Sequence, residues 1–193
     1  FFPHLLLLSY VFVAFGNEII NGHKAKKNSM QYMAYLDGNG YMCGGFLISE
    51  DFVMTAAHCL SRKARVGKKK IKPVKLPTKN PKPLKANQKC TVAGWGKTES
   101  GKNADELQAV DEPVWYAFYL FIENICYEGG KKQQPVICSS QGDSGGPLMC
   151  KGVAVGVVSF GSIPCDYPGP PNVYTDISKF LPWINNMLKK KKC

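Results

Sequence analysis

Gly142-Asp143-Ser144-Gly145-Gly146-Pro147 leaves the backbone little choice of conformation. The glycines around Asp143 and Ser144 specify a tight turn, and an extended segment resumes at Pro147-Leu148-Met149-Cys150. A serine set among such small residues presents its hydroxyl to an approaching molecule. Such a turn can aim backbone amides at a developing oxyanion, and by analogy with the Ser-His-Asp template the donors would be those of Gly142 and Ser144. A free serine is a poor nucleophile near neutral pH and needs a base, for which imidazole is the usual choice. Upstream, the apolar run Phe52-Val53-Met54 leads into Thr55-Ala56-Ala57-His58-Cys59, which offers His58. Alone, Gly-Asp-Ser is an ordinary loop and a single histidine is usually structural. In this order and flanked by cysteines, the two point to nucleophilic catalysis by Ser144 with His58 as base.

The rest of the chain reads mostly as strands. With 193 residues and 45% hydrophobic content it can bury a substantial core. Gln31 to Leu36, Phe46 to Ile48, Cys90 to Ala93 and Val153 to Val158 have strand character, with a turn at Asp37-Gly38-Asn39-Gly40. From Ser178 to Leu188, Phe180, Leu181, Ile184 and Leu188 recur at helical spacing behind a Ser cap. Between Arg62 and Lys89 the rhythm breaks: lysines and arginines crowd the segment, with Pro73, Pro77, Pro81 and Pro83 among them. Only Ile71 to Pro77 keeps some alternation there, and its prolines confine it to an edge or an extended segment.

The apolar run from Leu5 to Phe15, ending at small Gly16, reads as a secretory signal over residues 1–16 and is too short for a membrane span. Eight cysteines behind a signal imply disulfides. Zinc is the rival explanation for them, but the chain has no C-x₂-C with histidine partners, and no metal or other cofactor is implied.

The catalytic words, together with Ile19-Ile20-Asn21-Gly22, Cys43-Gly44-Gly45-Phe46, Val92-Ala93-Gly94-Trp95-Gly96 and Val157-Val158-Ser159-Phe160-Gly161, resemble the chymotrypsin-like (S1) serine proteases. Pro170-Pro171-Asn172-Val173-Tyr174-Thr175 and Phe180-Leu181-Pro182-Trp183-Ile184 are similar to the granzyme and mast-cell protease branch. The resemblance covers Ile19 to about Leu188 and implies an all-β, two-barrel fold with a C-terminal helix. Residues 19–193 would form the peptidase domain, its N-terminal barrel shortened between 60 and 90. It implies Cys43–Cys59 and Cys90–Cys150 disulfides, and leaves open whether Cys138 pairs with Cys126 or Cys165; Cys193 has no counterpart. Asn17-Glu18 looks like an activation dipeptide whose removal frees the Ile19 amine to insert beside Asp143. The substrate pocket would use Ser159, Gly161 and Asn172 as walls and a floor near Cys138 to Gln141, where no carboxylate occurs, so it favours apolar or Met-like side chains.

The family's third catalytic residue is an Asp between the histidine and the Ala-Gly-Trp-Gly word. Here no Asp or Glu lies between His58 and Cys90, and Asp37, Asp51, Asp105 and Asp111 fall outside any matching segment. The expectation is therefore a secreted or granule-stored endopeptidase acting on proteins or peptides, with weak or lost activity in this form. The alternative is a non-catalytic homologue that uses the net charge of +11, the Arg62–Lys89 run and Lys189 to Lys192 to bind heparin-like polyanions. Nucleic acid is a poor third partner, because no reader motif accompanies the charge.

Overall fold

A computed structural model describes residues 4–8, 22–38, 41–59, 63–66, 72–82, 84–85, 88–96, 103–114, 124–127, 142–160 and 172–190. The strands are β1 (His4–Leu8), β2 (His23–Lys24), β3 (Met33–Gly38), β4 (Tyr41–Leu47), β5 (Phe52–Ala56), β6 (Lys63–Val66), β7 (Gln88–Gly94), β8 (Gln108–Val114), β9 (Asn124–Tyr127), β10 (Pro147–Cys150), β11 (Val153–Phe160) and β12 (Asn172–Asp176). One helix, α1 (Ile177–Lys189), follows. They form a five-stranded sheet, β1-β5-β4-β3-β6, and a seven-stranded sheet, β2-β8-β7-β10-β11-β12-β9. Mostly β, with one C-terminal helix, this architecture is consistent with the expected two-barrel fold.

The first sheet grows from the β3–β4 hairpin, in which Met33 pairs with Phe46 and Asp37 with Met42. Every side chain of β5 is buried. Leu36, Phe46, Val53 and Met54 centre its core, to which Ile177, Leu181 and Ile184 of α1 also belong. The second sheet packs around Val92, Leu148, Val158 and Tyr174. Its β10–β11 hairpin turns through Lys151 and Gly152, with φ of 50° and 77°. Two consecutive left-handed residues let a two-residue loop follow the twist of the strands.

Two expectations change and one segment gains a role. The basic stretch where the strand rhythm breaks contains β6, which pairs antiparallel with β3 from Ala34↔Val66 to Asp37↔Lys63. The strand reuses a free edge of β3 that sequence periodicity does not reveal. Further on, the Val74 N–H donates to the Leu47 carbonyl at 2.8 Å, and the Ala154 N–H donates to the Lys75 carbonyl at 2.9 Å. The Pro–Lys segment is thus a strap between the two sheets, with buried Val74 as its anchor. Helix α1 is capped by Asp176, not by a serine: the Asp176 carboxylate accepts from the Ser178 N–H at 2.8 Å.

The segment read as a signal also has a place in the intact chain. His4–Leu8 runs parallel to β5, from His4↔Phe52 to Leu8↔Ala56. Among the described strands β1 is the outer neighbour of β5, and pairing covers a row of backbone groups that an edge strand leaves open. Among the described residues no helix is long and apolar enough to cross a membrane.

Candidate active site

Strand β5 delivers Thr55 and Ala56 to the junction of the two sheets, and a tight turn follows, closed by the Cys59 N–H donating to the Ala56 carbonyl at 3.0 Å. The Cys43–Cys59 disulfide, with 6.0 Å between the α-carbons, ties this turn to β4. Cys59 is buried and His58 is exposed at its rim. Partial desolvation holds the His58 imidazole below the usual histidine pKa, and among the described residues none hydrogen-bonds it. Cys43, His58 and Cys59 bring three donor atoms within 4.8 Å of one another, but both sulfurs are committed to the disulfide.

The serine turn comes from the other sheet. Gly142 and Gly145 have φ of 110° and 84°. Such angles are costly for residues with a Cβ. At Gly145 a side chain would also overlap the Thr55 hydroxyl and approach the Gly44 carbonyl oxygen to 2.5 Å. The Gly146 N–H donates to the Asp143 carbonyl at 2.9 Å, closing the turn. Val158 of β11 then grips it from both sides: its carbonyl accepts from the Gly145 N–H at 2.8 Å and its N–H donates to the Gly146 carbonyl at 2.9 Å.

The two halves meet at Ser144. The Gly44 N–H of β4 donates to the Ser144 carbonyl at 2.8 Å. The fully buried Thr55 hydroxyl donates to the Gly44 carbonyl at 2.8 Å. Cys59 Sγ lies 3.5 Å from the same Ser144 carbonyl. His58 and Ser144, far apart in sequence, therefore sit on turns that share one hydrogen-bonded junction. Asp143 is wholly buried, and its Oδ1 accepts from the Gly96 N–H at 2.8 Å. Gly94 leaves the room for that carboxylate, because a Cβ there would overlap Oδ1 and stand 2.7 Å from Cγ.

Of the pocket residues, Ser159 is buried on β11, and only the backbone of Asn172 is described, at the start of β12. Cys138, Gly161 and Ile19 lie outside the described residues, as do Cys165 and Cys193 and hence the open disulfide pairings. The Cys90–Cys150 disulfide is present and joins β7 to β10. Two of the alternative carboxylates lie elsewhere. Asp51 sits at the entry of β5 and His58 beyond its exit, so the strand's five residues separate them, roughly 17 Å at 3.3 Å each. Asp111 is on β8 and accepts from the Thr91 hydroxyl at 2.6 Å. Sequence reasoning missed Thr55, Gly94 and Gly96. Each sits inside a recognised word, but the partners that give them a task lie well away in sequence, 11 residues from Thr55 and 47 from Gly96.

The sequence model of the trypsin family matches residues 19–70 and 65–184. Mast cell protease 3 of Ovis aries is 35% identical over 238 aligned residues, covering 91% of each chain. Granzyme B of Rattus norvegicus is 34% identical, covering 96% of this chain and 98% of its own. An alignment of 238 positions exceeds this chain's 193 residues, so the relative carries residues that this chain lacks. Among solved structures, that of GrC superposes with a TM-score of 0.72 at 28% identity, covering 89% of this chain and all of the other. Mouse neuropsin, a serine protease expressed in the limbic system, gives a TM-score of 0.73 over 88% of this chain; at 24% identity it supports the fold alone.

Proposed function

The chain belongs to the trypsin family of serine proteases, and from that premise we propose that it is a secreted or granule-stored endopeptidase whose turnover in this form is weak. The observation that carries the proposal is the junction at Ser144: Thr55 holds Gly44, and Gly44 holds the serine turn against the histidine turn. In the proposed reaction His58 takes the Ser144 hydroxyl proton as the oxygen attacks a peptide carbonyl. The Gly142 and Ser144 amides receive the oxyanion, and His58 returns the proton to the leaving amine. Removing Asn17-Glu18 would free the Ile19 ammonium to join Asp143, whose burial makes a charged partner favourable. A family match that begins at residue 19 supports this processing site. The pocket, with Ser159, Gly161 and Asn172 as walls and Cys138 in its floor, would be neutral and favour apolar or Met-like side chains.

Weak turnover follows from the base. No Asp or Glu lies between His58 and Cys90, and only desolvation shifts the imidazole, where a neighbouring carboxylate would raise its pKa. An unanchored imidazole samples the wrong tautomer, which costs about 10⁴ in kcat in a protease of this chemistry, or about 5 kcal/mol. The test is labelling of Ser144 by a fluorophosphonate together with peptide hydrolysis by the form that starts at Ile19. Slow labelling, abolished in Ser144→Ala, with turnover about 10⁴-fold below an intact relative, is expected. Full-rate hydrolysis would overturn the weak-turnover half of the proposal, and no labelling at all would overturn the catalytic half.

A second function, binding of heparin-like polyanions, is favoured by one observation. Lys72, Lys75, Lys79, Lys82 and Lys85 are exposed along the strap between the sheets, and exposed Lys151 sits in the hairpin turn beside the Lys75↔Val153 bridge. Retention on a heparin column should fall steeply with salt through counter-ion release. Replacing Lys75, Lys79 and Lys82 by Gln should weaken it. Salt-independent retention, unchanged in that variant, would remove the strap as the binding surface.

A further inference from the structure

Thr55 and Ala56, the last two residues of β5, carry the backbone into the His58 turn, and the β4 ladder stops short of them. Among the described pairings β4 meets β5 only at Phe46↔Met54 and Leu47↔Val53. The ladder on the opposite side is longer. His4–Leu8 runs parallel to β5 over its whole length, and Leu7↔Thr55 and Leu8↔Ala56 complete it. Among the described strands β1 is the outer neighbour of β5, so the segment read as a leader supplies the strand pairing at Thr55 and Ala56.

Both segments suit strand addition. Phe52-Val53-Met54-Thr55-Ala56 has no charge and no proline, and all five residues are buried. An edge of that composition invites pairing by an extended segment. His4-Leu5-Leu6-Leu7-Leu8 likewise has no proline, glycine or carboxylate. Main-chain hydrogen bonds supply the affinity of such a contact, and they do not require the two strands to be covalently joined. What the pairing reaches is the active-site junction. The Thr55 hydroxyl donates to the Gly44 carbonyl at 2.8 Å, and the Gly44 N–H donates to the Ser144 carbonyl at 2.8 Å. The Cys59 N–H donates to the Ala56 carbonyl at 3.0 Å. A strand laid along Thr55 and Ala56 therefore steadies the serine turn and the histidine turn together.

We propose that the outer edge of β5 is a strand-addition site whose occupant is this chain's own segment His4–Leu8, and that the segment stays there as a separate peptide once the chain is cut ahead of Ile19. The leader is then a noncovalent part of the processed protein. Cutting adds water across a peptide bond between Leu8 and Ile19, leaving a carboxylate on one side and an ammonium on the other. It breaks no main-chain bond between β1 and β5. The place of this contact in processing rests on the cleavage proposed above, whereas the strand addition rests on the register alone.

The experiment uses the full chain, refolded with its disulfides and carrying a site-specific protease sequence inserted ahead of Ile19. The cut then does not depend on natural processing. Gel filtration, mass spectrometry of the protein peak, hydrogen exchange and fluorophosphonate labelling of Ser144 are read on one sample before and after the cut. The N-terminal fragment should co-elute with the rest of the chain in about equal amounts. Exchange over Phe52–Ala56 should change by less than about twofold on cutting, and Leu5 to Leu8 should stay protected in the bound fragment. Leu6→Pro with Leu7→Pro is the matched variant. Neighbouring residues of a strand point their N–H groups to opposite edges, so one of the two prolines faces β5 in either phase. Its fragment should leave the protein peak after the cut, exchange over Phe52–Ala56 should quicken at least about tenfold, and Ser144 labelling should slow. Release of the parent fragment overturns the inference, as does equal retention in the proline variant. A cut chain that loses its fragment and dimerises through β5 gives the edge to a second copy and also overturns it. If the proline variant does not fold, the parent decides: slow exchange at Leu5 to Leu8 in a retained fragment supports the strand, and fast exchange there overturns it. A retained fragment with Ser144 unlabelled keeps the strand site and defeats the peptidase proposal. A released fragment with Ser144 still labelled does the reverse.

Discussion

Replacing Gly94 by Ala tests how tightly the serine turn packs against the end of β7. The added methyl group would overlap Asp143 Oδ1 and stand 2.7 Å from Cγ, in a place where the carboxylate is wholly buried and bonded to the Gly96 N–H at 2.8 Å. The Asp143 side chain must then move. Loss of a hydrogen bond to a charged group is worth about 1.5–3 kcal/mol, and overpacking adds about 1–3 kcal/mol. Together they predict about 2.5–6 kcal/mol of destabilisation, or a fall in melting temperature of roughly 5–24 °C for a chain of this size. Thermal unfolding followed by circular dichroism measures the stability, and fluorophosphonate labelling reports the serine turn, which should slow along with it. Gly152→Asn is the matched control. That position has φ of 77° and open space for a Cβ, and Asn tolerates the left-handed region, so its melting temperature should stay within about 2 °C of the parent. In a double-mutant cycle, Asp143→Ala should remove most of the cost of Gly94→Ala, because the overlapping atoms are gone. Additive losses, or a Gly94→Ala protein that melts within about 2 °C of the parent and labels at its rate, would refute the packing of Asp143 against Gly94.

Thr55→Val deletes the only side-chain donor that Thr55 offers to the Gly44 carbonyl; it should cost about 1–2 kcal/mol and slow Ser144 labelling, and Thr55→Ser should restore both in melting and labelling assays. Removing Cys90–Cys150, which closes 60 residues, should destabilise by about 4 kcal/mol, against about 3 kcal/mol for Cys43–Cys59, which closes 16, as read by urea unfolding of the Cys→Ser pairs. Desolvation lowers the His58 pKa in the folded chain, so folding disfavours the imidazolium. The His58 contribution to stability is then complete above the ordinary histidine pKa and is lost as pH falls through the lowered folded value, a slope that His58→Gln should remove from a melting series across pH 5–8.

The turn at Gly142 to Gly146 and the approach of β5 to His58 were legible in the sequence because each rests on words kept within a few residues, and both described disulfides were legible through the family resemblance. Glycines that must take a left-handed backbone announce a turn wherever it ends up, and apolar runs announce strands. The tertiary structure decided what those words touch. Thr55 and Gly44 act on Ser144, Gly94 and Gly96 enclose Asp143, and Val74 straps one sheet to the other, all across pairings that no periodicity encodes. Lys63–Val66 became a strand only because β3 had an edge to offer, although its composition argues for a loop. The cap of α1 fell to Asp176 because its carboxylate reaches the Ser178 amide at the point where β12 ends. Ser159 looks like any strand serine in the sequence. Burial and a bulge leave its hydroxyl without a partner among the described residues, since a hydroxyl is satisfied or stranded only by the neighbours that folding brings to it.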